Sequence, residues 1–312
     1  MKLVDLPDNP IPEGAVCGAC ETSDGLLLRH ARWMPTGSPL KGTVTLLQGR
    51  AEFIEKYFET VRDLRARGYA VVTFDWRGQG GSARVLRNPR RGHVDDFSDF
   101  LLDLDAVLTK VTLASMPGPH YALAHSTGGA VLLYGARRLR TRFERAVLSA
   151  PLIGLGKVGL RQGLVCPLAA FLSAVGFGAA YVPGGGPKLN MRFETNPLTS
   201  DRRRFERNEA VLAAAPELEI GAPTIDWLAA ACRAMKRFFE PGFAPDMALP
   251  VLIVTAGQDR IVSTPAAERF ARQARSVQYL EIPGARHELL MEADLYRDQF
   301  LAAFSAFVDD KV

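Results

Sequence analysis

Cysteine is scarce, with four in 312 residues. Four scattered thiols cannot make the disulfide framework that holds small secreted domains together. Only Cys17 and Cys20 stand at C-x-x-C spacing, and no second cluster follows to complete a zinc or redox site. Excess charge is lacking too. The net charge is +4 and no stretch interleaves basic with aromatic side chains, so nucleic acid is not an expected partner. The opening residues M-K-L-V-D-L-P-D-N-P-I-P-E-G have no apolar core and are broken by Asp and Pro, which argues against a secretory leader and sets the expectation of a cytoplasmic chain. Disorder is excluded from the other side. Hydrophobic residues make up 47% of the chain, enough for one large core or a core with an inserted lid.

Long uncharged runs are also rare. One, Leu164 to Val182, approaches the roughly 18 residues of a membrane span, but Pro167, Gly176 and Gly178 interrupt it. The favoured expectation is an apolar segment packed over the core. The alternative is a weak membrane-surface contact, with the protein peripheral to the inner membrane face.

What is present is an alternation of strand and helix. The runs Val16 to Thr22 and Leu26 to Trp33 flank a hairpin turn at Ser23-Asp24-Gly25, and Thr43 to Leu47 and Tyr69 to Phe74 are buried strands around a helix from Glu55 to Arg67. A helix is expected over Asp95 to Leu113, then a strand at Tyr121 to Ala124, a helix over Thr127 to Arg140 and a strand at Ala146 to Leu148. Val251 to Thr255, Pro265 to Arg275, Val277 to Ile282 and Leu295 to Val308 close the chain as strand, helix, strand and helix. Eight strands with helices between most of them predict an α/β fold, a largely parallel sheet covered on both faces with an antiparallel start. Residues 151–246 have Gly- and Pro-rich patches, the basic run Arg202-Arg203-Arg204 and helical pattern without strands. They read as an inserted helical cap between core parts 1–150 and 247–312.

The chemistry centres on Y-A-L-A-H-S-T-G-G. An apolar strand ends at Ser126, small residues surround it and a helical pattern follows, which is the layout of a nucleophile elbow with Ala124 and Gly128 at the two small positions. Ser126 as a plain N-cap is the other reading. A serine hydroxyl needs a histidine to take its proton and a carboxylate to orient that histidine, in the chain order Ser, acid, His. Of five histidines, His287 alone follows the later strands. His125 adjoins Ser126 but, as a neighbour in an extended segment, should point to the opposite side. Asp259 stands just past the strand in V-L-I-V-T-A-G-Q-D-R, where the acid belongs. Two backbone N–H groups must meet the developing oxyanion, and those of Thr127 and of Arg50, the latter turned inward at Gly49, are the candidates.

The segments Q-G-R-A-E-F-I-E-K-Y, F-D-W-R-G-Q-G-G-S, N-P-R-R-G-H-V-D-D-F, A-H-S-T-G-G, G-Q-D-R-I-V and G-A-R-H-E resemble the α/β-hydrolases of the lysophospholipase L2 and monoacylglycerol lipase type, over about residues 43–290. The resemblance implies the triad Ser126, Asp259 and His287, oxyanion donors at Arg50 and Thr127, and a loop-ordering role for Glu52. Gln48 stands where many members have His, and Asp75, Arg77, Gly78 and His93 match loop positions taken as structural. It implies acyl transfer through an acyl-enzyme without metal or organic cofactor, on a lipid ester such as a lysophospholipid or monoacylglycerol. A general carboxylesterase, a serine peptidase and a non-catalytic binding protein are the alternatives. Arg90, Arg91 and Arg202 to Arg204 are candidates to meet a phosphate head group, or are simply solvated. Nothing in the sequence sets the oligomeric state.

Overall fold

Apolar and β-branched runs too short for helices form one eight-stranded sheet. Its strands are β1 (Val16–Glu21), β2 (Leu27–Trp33), β3 (Gly42–Leu47), β4 (Tyr69–Phe74), β5 (His120–His125), β6 (Arg145–Ser149), β7 (Val251–Ala256) and β8 (Val277–Ile282). The computed structural model describes residues 1–156, 162–188 and 191–309. Strand order is β1-β2-β4-β3-β5-β6-β7-β8, with β1–β2 and β2–β4 antiparallel and every other pair parallel. Strands β3, β4 and β7 are buried at every residue, as parallel strands covered on both faces must be.

The helices are α1 (Phe58–Ala66), α2 (Phe97–Val107), α3 (Leu113–Ser115), α4 (Thr127–Tyr134), α5 (Ala136–Leu139), α6 (Gln162–Leu172), α7 (Arg202–Ala214), α8 (Ile225–Arg237), α9 (Thr264–Gln273) and α10 (Asp294–Asp309). Phe58, Val61 and Leu64 of α1 and Phe300, Leu301 and Phe304 of α10 cover one face of the sheet. Helices α2, α4, α8 and α9 cover the other through Phe97, Leu132, Trp227, Met235 and Phe270. Two expected helices are interrupted. The one from Thr127 breaks at Gly135, a poor helix former, and the one from Asp95 is capped by the Asp96 carboxylate at Ser98 N and passes through a π-turn at Leu108–Thr112.

Between β6 and β7 the described residues contain helices α6, α7 and α8 and no strand. Here the structure corrects the expectation for Leu164 to Val182. Helix α6 packs on α8 through one face only, and the Cys166–Cys232 disulfide joins the two helices. Leu164, Leu168, Phe171, Val175 and Phe177 are exposed, Leu164 at 74% and Phe171 at 61%. Among the described residues no helix is long and apolar enough to cross a membrane. The basic run splits. Arg204 is buried among Glu59, Asp201 and Asp294 and ties α7 to α1 and α10, whereas Arg202 pairs with exposed Glu194 and Glu206. Cys17 and Cys20, three apart on β1, fall on opposite faces, and burial pushes both thiols up, Cys20 to about 11. They cannot share a ligand.

Candidate active site

Order along the sheet reverses at β3, which lies between β4 and β5, so the loops that follow β3 and β5 open side by side at the carboxyl edge. Leu47 pairs with Ala124 in register, which brings Gln48-Gly49-Arg50 against Ser126 and the start of α4. The approach is close. A Cβ on Gly128 would stand 2.6 Å from the carbonyl oxygens of Leu47 and Gln48, so only glycine fits there, and Ala124 is fully buried. Ser126 itself has φ +49° and ψ −111°, a conformation costly for any residue but glycine, held by Ser126 N donating to the Ser149 carbonyl at 3.0 Å and Leu152 N donating to the Ser126 carbonyl at 3.0 Å.

The structure brings the three predicted side chains together. Ser126 Oγ lies 3.0 Å from His287 Nε2, and His287 Nδ1 lies 2.7 Å from Asp259 Oδ2. With Nδ1–H donating to the carboxylate, Nε2 is the acceptor for the serine proton. Asp259 Oδ1 accepts from the backbone of Ile261 at 2.8 Å and Val262 at 3.0 Å. Burial alone would raise the Asp259 carboxyl, but His287 and these two amides hold it below the ordinary carboxylate value. It stays ionised and fixes the imidazole.

Glu52 ties down the loop Gln48-Gly49-Arg50. Its carboxylate accepts from Gly49 N, from Tyr57 Oη at 2.6 Å and from Lys56 Nζ at 2.8 Å. A Cβ on Gly49 would stand 2.9 Å from both Glu52 and His125. Gln79 Nε2 donates to the Gly49 carbonyl at 2.8 Å and Asp75 accepts from Ile54 N at 2.9 Å and Gln48 Nε2 at 3.2 Å, so the substituted Gln48 still has a partner. Arg77 reaches Asp103 and Asp24, and His93 reaches Thr224 and Asp95. Among the described residues, the N–H groups of Arg50 and Thr127 donate to no protein acceptor.

Two features lie outside the sequence reading. Lys56 also donates to Glu288 Oε1 at 2.6 Å, making a buried Glu52–Lys56–Glu288 bridge between residues far apart in the chain. Glu52, His125 and Glu288 group closely enough to share a cation, and the Lys56 ammonium is the cation between the two carboxylates. His125 does not point away, because the turn at Ser126 is not extended. Its ring centre lies 4.8 Å from that of His287, and burial, reinforced by the Lys56 charge, pushes it down to about 4 against the opposing pull of Glu52. A neutral His125 therefore packs against His287.

A family model described as serine aminopeptidase, S33 (Hydrolase_4) matches residues 38–294. The chain is 31% identical to the probable lysophospholipase L2 of Haemophilus influenzae over 87% of its length and 85% of that protein's. It is 32% identical to lysophospholipase L2 of Escherichia coli K12 over 85% of its length and 79% of that protein's. Among solved structures, a soluble variant of monoglyceride lipase from Saccharomyces cerevisiae superposes with a TM-score of 0.74 at 21% identity, over 94% of this chain and 96% of that one. A carboxyl esterase from Bacillus coagulans gives 0.72 at 14% identity, over 95% of this chain and 100% of that one. The chain belongs to the Hydrolase_4 family and has the α/β-hydrolase fold.

Proposed function

We propose that the chain is a serine hydrolase that cleaves carboxylic esters of lipid-like substrates, lysophospholipids or monoacylglycerols. The observation that carries this reading is the continuous hydrogen-bonded line Ser126–His287–Asp259. His287 Nε2 takes the proton as Ser126 Oγ attacks the ester carbonyl, and the Arg50 and Thr127 amides, the second at the positive end of α4, hold the oxyanion. His287 then gives the proton to the leaving alcohol. Water attacks the acyl-enzyme with His287 again as base, releasing the fatty acid and Ser126. No step calls for a metal or organic cofactor.

The names of the curated relatives support a lipid substrate, and the apolar side chains Phe53, Leu198, Phe205, Leu212 and Ile220 beside the oxyanion loop support an acyl chain. Residues 151–246 act as a cap between core parts 1–150 and 247–312. Leu164, Leu168, Phe171 and Val175 recur at helical spacing on an exposed face, which supports seating of the cap on a lipid surface. Residence at the cytoplasmic face carries a condition. The Cys166–Cys232 bond is of a kind rare in reducing compartments, so counting free thiols in protein alkylated at lysis reads the compartment.

The family description names a peptidase, so the test compares substrates. Folded protein is expected to turn over a lysophospholipid, a monoacylglycerol and a short nitrophenyl ester, and to leave a peptide amide intact. Preferred cleavage of the amide would replace this reading with a peptidase.

A further inference from the structure

Among the arginines considered for a phosphate, Arg90 pairs with Glu219, Arg202 with Glu194 and Glu206, and Arg204 with three carboxylates. Arg91 differs, and so does Arg50, whose side chain the sequence did not offer for this role. Among the described residues neither forms an ion pair, and each has a buried Nε with no hydrogen-bond partner. Arg50 lies 5.4 Å over the Trp227 ring and donates from Nη2 to the Gly221 carbonyl. Arg91 lies 5.4 Å over the Tyr181 ring, and the Tyr181 hydroxyl is buried without a partner as well.

These groups stand on segments that touch. Gly92 bridges Pro223 and Tyr181 bridges Thr224, and a Cβ on Gly92 would lie 3.1 Å from Arg50 Nη2. Burial pulls the Arg50 guanidinium down to about 9, with Tyr181 acting to raise it and no carboxylate contributing, so it remains a cation at neutral pH. Buried donors normally find acceptors. Here, among the described residues, are two guanidinium groups with no carboxylate and a partnerless Nε each, and a partnerless phenol, on adjoining segments, one of them on the residue whose backbone faces the reacting carbonyl. Planar guanidinium forks match the oxygens of a phosphate.

The covalent reach suits the phosphate of a 1-acyl glycerophospho ester. The guanidinium carbon of an arginine is as many covalent bonds from its own backbone nitrogen as phosphorus is from the acyl carbonyl carbon in that ester, so the two chains can run side by side. We propose that Arg50, Arg91 and Tyr181 form the subsite for the phosphodiester of a lysophospholipid, with Arg50 binding both ends of the substrate, the oxyanion by its N–H and the phosphate by its side chain. This rests on the ester-hydrolase reading and assigns the selectivity for a phosphorylated head group over glycerol alone.

The test uses full-length protein and two lipids of identical acyl chain, a lysophosphatidylcholine and a monoacylglycerol, below their aggregation concentrations, with a nitrophenyl ester as control. The readout is the ratio of kcat/KM for the first lipid to that for the second, in which any disturbance of the oxyanion loop is common to both and cancels. Arg50→Gln and Arg91→Gln are each expected to lower the ratio about tenfold to a hundredfold, mostly through KM, and Tyr181→Phe by less. Arg91→Lys is expected to restore part of it. A ratio within twofold of wild type in both glutamine variants overturns the subsite while leaving the ester-hydrolase reading in place. Wild-type protein that cleaves the nitrophenyl ester and neither lipid overturns the lipid reading itself. A third arm adds millimolar inorganic phosphate. Inhibition that Arg91→Gln abolishes, with an unchanged lipid ratio, makes the site a receptor for free phosphate and overturns head-group recognition.

Discussion

Around Ser126, buried charge is matched. Glu52 and Glu288 share Lys56, Asp75 and Glu55 share Arg29, and Asp259 is held by His287 and two amides. Between β6 and β7 apolar side chains on α6 turn outwards, and Tyr181 lies against Arg91 from the loop before α2, which, like Arg50 after β3, forms no ion pair among the described residues. A region that satisfies its own charges is organised for one reaction, because pre-aimed dipoles need no rearrangement as charge develops. A region that leaves apolar surface and cations unmatched is organised to meet something else. On this contrast the proposed chemistry belongs to the core, and the proposed choice of substrate to the place where the excursion meets the core loops that carry Arg50 and Arg91.

The largest break comes from removing the proposed nucleophile. Ser126→Ala is expected to lower ester hydrolysis by at least about a thousandfold. Its thermal transition should move little, because the substitution removes one hydroxyl and no packing. Residual activity near wild type would move the nucleophile elsewhere.

The excursion depends on a covalent tie. Cys166→Ser is expected to destabilise the protein by about 2–4 kcal/mol, since the bond closes a chain separation of 66 residues, and differential scanning calorimetry with and without reductant checks this. An unchanged transition would mean that α6 docks on α8 by packing alone.

Acid sharpens the comparison from the core side. The folded pKa of His125 is lowered from 6.5 to about 4, so between those values the unfolded chain binds the proton and the folded one does not. Stability is complete above pH 6.5 and falls as pH drops toward 4, by about 3 kcal/mol on full integration. Denaturant titrations of wild type and His125→Gln across that window should show a slope in the first that is reduced in the second. The depressed Asp259 carboxyl adds a loss only at lower pH, as pH falls below its unfolded value and through its folded one.

The smallest effect lies on α6. Phe171→Ser with Leu164→Ser should reduce sedimentation with phosphatidylglycerol vesicles about tenfold, from the apolar area each side chain buries. Sedimentation equal to wild type would remove α6 as the lipid-facing surface.

The same contrast separates what the sequence disclosed from what it did not. Strands β4 and β8 match the expected Tyr69–Phe74 and Val277–Ile282 at both ends, where Gly68 precedes the first and Pro283 follows the second. The positions of Ser126, Asp259 and His287 were legible because sheet topology orders them along the chain. The Lys56–Glu288 bridge was not, since its residues lie 232 apart and neither carries a local signal. Cys166 and Cys232 escaped for the same reason. The outward face of α6 is not legible in the sequence, because an uncharged run looks alike whether it is covered by protein or left exposed. His125 was misjudged by extending strand alternation through a residue at positive φ.

Covalent labelling of the nucleophile tests the central claim most directly. Folded wild-type protein treated with a fluorophosphonate should carry one adduct, mapped to Ser126 by peptide mass spectrometry, and His287→Ala should react far more slowly. An unlabelled Ser126 in folded protein with His287 intact, or an adduct on another residue, would contradict the assignment.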